Sequence, residues 1–468
     1  MSRTSRPHRL SASLAAATLA LTSLSAATAY AAPLDDAAPG PLMNYVINTK
    51  ASPGHVRKVE DAVKHAGGTV LSSYRQFGVV VAQSTNTNFK VDVRAGRNGR
   101  EVQSVGATRT AAVSEGASGL SSVDETTATP VLDPRESEQW DMVQIKADQA
   151  HNVTDGSRRV LVGVNDSGVD DTHPDLAPNF DARDSVSCIK NGVPDQTPGI
   201  WRPTTSPHGT HVAGTIAAAR NGVGIVGVAP GVRIASVKVV NDDGFIYPEY
   251  SICGIVWAAE HHMAVTNHSY FIDPFQFWCK DNGDQGAVQE AVRRAYAWAA
   301  DRGTLSVAAA GNSNYDLSNK TTDTTSPNDS TPVARTIDNN CLDMPTELPG
   351  VITVASTTQT RAKSSFSNFG LHKIDVAAPG SSILSTLPGG GYGLMSGTSM
   401  ASPHVTGIAA LLKSTHPSWG PRELERALQR EADDTACPTT PDARCTGTTA
   451  NNAFYGEGIA DALDAVHR

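Results

Sequence analysis

Short apolar runs alternate with helical segments from about residue 160 to residue 377. Val160 to Val164 and Leu305 to Ala310 are continuous apolar runs of strand length, whereas Ala287 to Ala300 carries its apolar residues at helical spacing. Strands separated by crossover helices form a parallel sheet that is covered on both faces. We therefore predict an α/β fold with a mostly parallel, doubly wound sheet flanked by helices.

Polar side chains stand where these strands end, at the rim on which ligands bind in open α/β sheets. The first strand runs into Asp166, and the strand from Leu305 to Ala310 runs into Gly311 and Asn312. His208 lies just ahead of a helix predicted from Val212 to Ala219. The alternation of strands and helices therefore predicts that an acid, an imidazole and an amide meet on one rim.

A serine also belongs to this group. Ser399 lies in a Gly-Thr-Ser turn that leads into an apolar helix, and Pro403 is expected in the first turn of that helix because proline lacks an N–H. The unpaired N–H groups and the positive dipole end of the helix would stabilise a negative charge beside Ser399. The alternative is a serine that merely caps the helix.

A serine is a weak nucleophile unless a base takes its proton, and a third group must orient that base. Taken singly, Asp166 and Asn312 could be turn residues and His208 could be a helix cap. Together, in this order and at strand ends, the four residues favour nucleophilic catalysis.

The motifs that contain these residues resemble the four signatures of the subtilisin family of serine peptidases, over about residues 133 to 468. The resemblance implies that Ser399 attacks the peptide carbonyl, that His208 transfers the proton and that Asp166 orients His208. It also implies that Asn312 and the Ser399 backbone N–H form the oxyanion hole. The motifs are Asp166-Ser167-Gly168, His208-Gly209-Thr210-His211, Ala310-Gly311-Asn312 and Gly397-Thr398-Ser399-Met400-Ala401.

The resemblance also locates the substrate cleft, which it assigns to Ser269, Tyr270, Phe271 and Gly311. The family normally has a Ser-Leu-Gly stretch at one wall, whereas Phe271 places a benzyl group here. We therefore expect a first specificity pocket that is narrower than usual and accepts a restricted set of P1 side chains.

The N-terminus has the pattern of a secretory signal peptide over residues 1–31. Arg3, Arg6 and Arg9 precede an apolar run, and small residues at Ala29 and Ala31 provide a cleavage site. Export would place the protein outside the cell. Elsewhere the chain contains no continuous apolar stretch long enough to cross a membrane, so we expect no stable membrane insertion after signal cleavage.

Residues 32–120 are predicted to be a propeptide. Residues 43–109 have the pattern of a small α+β unit, and residues 110–132 are a linker rich in Ala, Ser, Thr and Gly. This unit resembles the family's ferredoxin-like inhibitory prodomain. The peptidase domain would then span residues 133–468, with the propeptide as its intramolecular inhibitor. An ordinary N-terminal domain is the alternative.

The formal net charge of −9 and the sequence pI of about 5.9 argue against a nucleic-acid partner. We expect protein or peptide substrates and a monomer.

Six cysteines in an exported chain favour disulfides over metal ligation. Cys437 and Cys445 are close enough in sequence to pair locally, and the other four allow three connectivities. In the family fold, the segments that carry Cys279 and Cys341 border the same pocket. The resemblance therefore implies a Cys279–Cys341 bond, with Cys188–Cys253 as the remaining pair.

Family members usually bind calcium, and none of the motifs implies an organic cofactor. The resemblance assigns calcium ligands to Asp175, to the Asn221 side chain and to the carbonyl groups of Ala219, Val223 and Ile225, and Asp133 could add a second carboxylate. Oxygen-only ligands suit this hard cation. A tight glycine-rich loop without metal is the alternative.

These observations predict a secreted serine endopeptidase that is made as an autoprocessed zymogen. Two other functions stay open, namely a catalytically silent binding scaffold and a processing peptidase with few targets. A fluorophosphonate label separates the scaffold from the enzymes, and a peptide-library profile separates the two enzymes.

Overall fold

The computed structural model describes residues 40–113 and 133–467. The predicted signal peptide and most of the predicted linker lie outside these residues. Among the residues that the structure describes, no helix is both long enough and apolar enough to cross a membrane.

The small N-terminal unit is a four-stranded antiparallel sheet with helices, in the order β2-β3-β1-β4. This is the strand order of a βαββαβ unit. The side chain of Ser52 caps its first helix, and Pro53 follows at the first helical position, where its missing N–H costs nothing. The elements are β1 (Met43–Asn48), α1 (Pro53–His65), β2 (Gly68–Tyr74), β3 (Val79–Ser84), α2 (Phe89–Asp92), α3 (Gly96–Gly99) and β4 (Ser104–Ala107).

The main unit contains thirteen further strands in its described residues. They are β5 (Leu161–Asp166), β6 (Val186–Ser187), β7 (Arg233–Lys238), β8 (Val265–His268), β9 (Trp278–Cys279), β10 (Leu305–Ala309), β11 (Thr322–Asp323), β12 (Arg335–Thr336), β13 (Cys341–Leu342), β14 (Val351–Thr357), β15 (Val376–Pro379), β16 (Ile383–Leu387) and β17 (Gly391–Met395).

Its helices follow a short 3-10 turn at Glu136–Glu138. They are α4 (Trp140–Gln144), α5 (Ala147–Ala150), α6 (His208–Ala217), α7 (Pro248–Glu260), α8 (Gly283–Asp301), α9 (Thr398–Thr415), α10 (Pro421–Arg430) and α11 (Ala462–His467).

The central sheet has seven strands in the order β15-β14-β10-β8-β5-β7-β6, and every neighbouring pair is parallel. Alternate residues of β5 enter different cores. Val162 packs in the core that contains residues of α6 and α9, whereas Leu161 packs in a core that contains residues of α7. The sheet is therefore covered on both faces, which confirms the predicted fold class.

The strand order changes direction at β5. The chain adds β7 on one side of β5 and then adds β8 on the other side. Ligands bind at such switch points. Asp166 ends β5, Ser269 follows β8 and Asn312 follows β10, so three neighbouring strands end in predicted site residues.

One local prediction is wrong. We expected Pro403 in the first turn of its helix, but α9 begins at Thr398 and Pro403 lies inside it. A proline there leaves the Ser399 carbonyl, four residues earlier, without its helical N–H donor. The Ser269 hydroxyl replaces that donor with a hydrogen bond of 2.8 Å to the Ser399 oxygen.

The structure contains three disulfides, and they pair as the sequence analysis expected. They are Cys188–Cys253, Cys279–Cys341 and Cys437–Cys445. The second joins β9 to β13, which also pair as antiparallel strands.

Candidate active site

Asp166 and His208 are joined by a hydrogen bond of 2.8 Å between Asp166 Oδ1 and His208 Nδ1. Asp166 is only 1% exposed, and its Oδ1 also accepts the Ser167 N–H. Gly209 leaves room for the Asp166 carboxylate, since a Cβ there would lie 3.1 Å from Asp166 Oδ1 and 2.4 Å from the Gly168 carbonyl oxygen. The buried carboxylate therefore fixes the orientation of the imidazole, with Nε2 as the free ring nitrogen.

The electrostatics of this pair favour a protonated ring. Burial disfavours the charged imidazole, but the charge of Asp166 and its hydrogen bond outweigh burial and raise the pKa of His208 above its ordinary value. An imidazolium that forms during a reaction would be stabilised in the same way.

Ser399 lies in the first turn of α9, which packs against α6, the helix that begins at His208. Within the described residues, the Ser399 hydroxyl donates to the Ser269 carbonyl at 3.2 Å and not to the His208 ring. Since the Ser269 hydroxyl donates to the Ser399 carbonyl, the two serines form a reciprocal pair.

Asn312 is anchored through its side-chain oxygen. Oδ1 accepts hydrogen bonds from the Thr398 N–H at 2.8 Å and from the Thr398 hydroxyl at 2.9 Å. A backbone N–H can only donate, so this contact identifies which atom of the amide is oxygen. The other atom of the amide is then Nδ2, which can act only as a donor.

Beside Ser399 and Asn312 lies a cavity of about 480 Å³. All four residues predicted for the substrate cleft line it, namely Ser269, Tyr270, Phe271 and Gly311. Tyr270 directs its hydroxyl away from solvent, to within 2.9 Å of His268 Nδ1. Gly311 has a φ of +99°, which favours glycine. The side-chain amide of Asn368 lies 2.3 Å from the ideal Cβ position of Gly311, so a larger residue would not fit.

The cavity also contains acidic and amide side chains that the sequence analysis missed. Asp273, Gln276, Asn328 and Asp343 line it, and Asp273 and Asp343 are almost fully buried. Asp343 comes two residues after Cys341, in a segment without strand or helix periodicity. The nearby disulfide was the one available signal that this segment borders the pocket.

The predicted calcium ligands converge on the loop 219–225. Asp133 Oδ1 accepts the Gly222 N–H at 2.9 Å, and Asp175 Oδ2 accepts the Ile225 N–H at 3.0 Å. The other oxygen of each carboxylate is buried without a hydrogen-bond partner. Burial raises the pKa of Asp175 to about 6 and raises the pKa of Asp133 as well. Asn221 Oδ1 accepts the Val223 N–H.

The small unit contacts the main unit through a buried glutamate that the sequence analysis also missed. Glu249, near the start of α7, accepts hydrogen bonds from the side chains of Asn44, at 2.8 Å, and Arg109. The Arg109 guanidinium lies 3.8 Å from the ring centre of Tyr247. Both members of the Arg109–Glu249 ion pair are almost fully buried.

Comparisons with known proteins show what this chain is similar to. The family model described as "Peptidase_S8: Subtilase family" matches residues 157–458. Subtilisin NAT from Bacillus subtilis subsp. natto is 34% identical over 322 residues, which are 69% of this chain and 69% of that protein. Subtilisin from Bacillus pumilus is 36% identical over 289 residues, 62% of this chain and 89% of that protein.

A solved structure with a similar fold is the epidermin leader peptide processing serine protease EpiP from Staphylococcus aureus. Its TM-score is 0.68 at 22% identity, and the match covers 92% of this chain and 98% of that one. At this identity the likeness concerns the fold alone.

Proposed function

Because this chain belongs to the subtilase family and is a subtilisin-like serine endopeptidase, we propose that it hydrolyses peptide bonds with Asp166, His208 and Ser399 as its triad. The observation that carries this assignment is the hydrogen bond between the buried Asp166 and His208, beside the helix α9 that holds Ser399 in its first turn. His208 takes the Ser399 proton and later gives it to the leaving amine, and Asp166 stabilises the imidazolium. The Ser399 hydroxyl first rotates away from the Ser269 carbonyl.

Asn312 and the Ser399 backbone N–H form the proposed oxyanion hole. Supporting this role, Thr398 holds the Asn312 oxygen so that the NH₂ group is available as the donor. The Ser399 N–H lies in the first turn of α9, where N–H groups have no partner within the helix. Both donors are set before the reaction, so stabilising the oxyanion requires no reorganisation.

The test is a Ser399→Ala variant of the full chain. It should lose fluorophosphonate labelling and casein hydrolysis and keep its circular dichroism spectrum. Normal activity in the purified variant would refute the triad. Fluorophosphonate labelling of the wild-type protein would also exclude the hypothesis that it is a catalytically silent binding scaffold.

We further propose that residues 1–31 are removed on secretion and that residues 32–120 act as the propeptide of a domain that spans 133–468. In support, the small unit is fixed to α7 by Asn44 and Arg109 through Glu249. The Thr110 N–H also donates to Asp329, next to Asn328 in the cavity lining. These contacts, on α7 and at one residue beside the cavity lining, support the proposal that the small unit is an intramolecular inhibitor.

We propose a structural calcium at the loop 219–225. Two buried carboxylates, each with an oxygen lacking a partner, fit a divalent cation, because an unpaired buried charge is costly. Asp133, Asp175 and loop carbonyls would hold it, and Asn221 would add its side-chain oxygen. Bound calcium would neutralise these acids and fix the loop, and it would take no part in the chemical steps.

A further inference from the structure

The cavity beside Ser399 contains two buried acids with different surroundings. Asp273 is satisfied internally, since its carboxylate accepts the Ile246 N–H at 2.5 Å and the Asn328 side-chain amide at 2.6 Å. The Asp343 carboxylate receives no hydrogen bond from any described residue, although Asp343 is only 2% exposed. A buried acid without a donor is uncommon, because it forfeits its hydration without compensation.

Asp343 lies on the cavity side of its segment. It lines the same cavity as Ser399 and Asn312, and its Oδ2 is 3.6 Å from the ideal Cβ position of Gly311. Gly311 lines the same cavity, and the Asn368 side-chain amide occupies the space where a Gly311 Cβ would lie. The Cys279–Cys341 disulfide, two residues before Asp343, holds the segment in place.

The cations near Asp343 have other partners. Lys320 Nζ lies 2.7 Å from Glu347 Oε1 and 3.0 Å from the Leu317 carbonyl oxygen, and Lys373 Nζ lies 2.9 Å from the same Glu347 oxygen. Burial, followed by the charge of Glu347, raises the pKa of Asp343 well above its ordinary value, and Lys320 only partly opposes this. A cation that entered the cavity would supply the missing partner.

Arg335 is likewise engaged. Its guanidinium binds the Asp323 carboxylate and the Phe277 carbonyl. Of the two acids that line the cavity, Asp273 therefore has donors within the protein, whereas Asp343 has none among the described residues. Asp343 lines the cavity together with Ser399, so a cationic substrate side chain there would favour the ionised form of this acid.

We propose that Asp343 selects a lysine or arginine side chain at P1, the residue whose carbonyl Ser399 attacks. This inference rests on the proposed triad and names its substrate class. The apolar wall at Phe271 and Ala309 suits the aliphatic stem of either side chain, and the charged head would reach Asp343. Charge-assisted hydrogen bonds to a buried carboxylate are strong, so the pair would dominate selection.

The test uses the mature enzyme and tetrapeptide p-nitroanilides that differ only at P1, as Lys, Arg, Met or Phe. We expect kcat/KM for Lys and Arg to exceed that for Met and Phe by at least about tenfold. Asp343→Asn should lower kcat/KM for Lys and Arg by about 10- to 100-fold and change the Met and Phe values by less than about threefold. Fluorophosphonate labelling of the variant checks that its Ser399 is still reactive.

Asp338→Asn is the matched control. Asp338 is an exposed acid just before β13, and it accepts the Asn340 N–H, which an asparagine can also do. This variant removes an equal charge outside the cavity and should keep the wild-type preference. A similar loss in both variants would mean that the effect is general electrostatic attraction and would overturn the role of Asp343.

Inhibition of the wild-type enzyme by benzamidine provides a readout that does not depend on the folding of any variant. We expect competitive inhibition by benzamidine but not by neutral benzamide, and equal inhibition by the two would overturn the proposal. A wild-type enzyme that cleaves Phe and Met substrates best would also overturn it. Absence of both cleavage and Ser399 labelling would instead refute the triad.

Discussion

The Ser269 hydroxyl donates a hydrogen bond of 2.8 Å to the Ser399 carbonyl, the group that Pro403 leaves without a helical donor. The bond joins the loop after β8 to the first turn of α9. It therefore couples a wall of the substrate cavity to the residue proposed as nucleophile.

This coupling predicts a conditional effect of Ser269→Ala. Losing the donor should lower the free energy of unfolding by about 1 kcal/mol. In a Pro403→Ala background the new N–H can satisfy the Ser399 carbonyl, so Ser269→Ala should cost less there. Urea unfolding of the sulfonyl-inhibited proteins measures both costs. Equal costs in the two backgrounds would show that the bond does not compensate for Pro403.

Asp166→Asn should reduce kcat by about 10⁴-fold without unfolding the protein, because the imidazole loses its orienting anion. The pH profile of kcat/KM supplies a sharper readout. His208 must be neutral to act as the base, so activity rises with pH through its pKa. Asp166 raises that pKa, and the residual activity of the variant should therefore rise at lower pH. If the midpoint of the pH profile is the same in Asp166→Asn and in the wild type, Asp166 does not raise the pKa of the catalytic base.

Removing calcium with EDTA should lower the melting temperature, because the two buried carboxylates would be left without a counter-ion. Asp175→Asn should abolish the stabilisation by added calcium, whereas Asp243→Asn, at an exposed acid elsewhere, should retain it. Differential scanning calorimetry with and without calcium provides the comparison. Equal calcium stabilisation in the Asp175 and Asp243 variants would place the ion elsewhere.

Glu249→Gln should weaken the hold of the propeptide, because it removes the buried carboxylate that Arg109 binds. Breaking one partner of a buried ion pair typically costs about 3–5 kcal/mol. We expect the variant precursor to become active sooner after synthesis, as followed with a fluorogenic peptide. Glu260→Gln, at an exposed position on the same helix, is the control and should activate at the wild-type rate. If the Glu249 variant also activates at the wild-type rate, the ion pair does not restrain the propeptide.

The secreted enzyme should begin between Ala112 and Glu136, and Ser399→Ala should stay unprocessed if maturation is autocatalytic. N-terminal sequencing locates the cut. Arg135 is the one basic residue between Thr110 and Ile145. A start at Glu136 would extend the proposed P1 preference to self-processing and would remove Asp133 as a calcium ligand.

A mature chain that begins between Ala112 and Asp133 would keep Asp133. The high effective concentration of a tethered substrate could then outweigh the P1 preference. A mature chain that begins at Ala32 or Pro33 would contradict the propeptide.

The sequence by itself determined the class of fold and the candidate catalytic residues. Apolar runs alternating with helical segments predict a parallel sheet, and strand ends locate Asp166 and Asn312 on its rim. These features are local, since each depends on the spacing of a few neighbouring residues. The family resemblance then assigned the roles of Ser399 and His208.

Only the tertiary structure decided which distant groups meet. Pro403 could stand inside α9 because Ser269, far away in sequence, supplies the missing donor. Asp343 lines the cavity because β9 and β13 pair, and this pairing brings its segment to the cavity that Phe271 also lines. No local propensity predicts such contacts, since they depend on packing between elements that are remote in the chain. Whether a buried carboxylate finds a donor is settled by that packing.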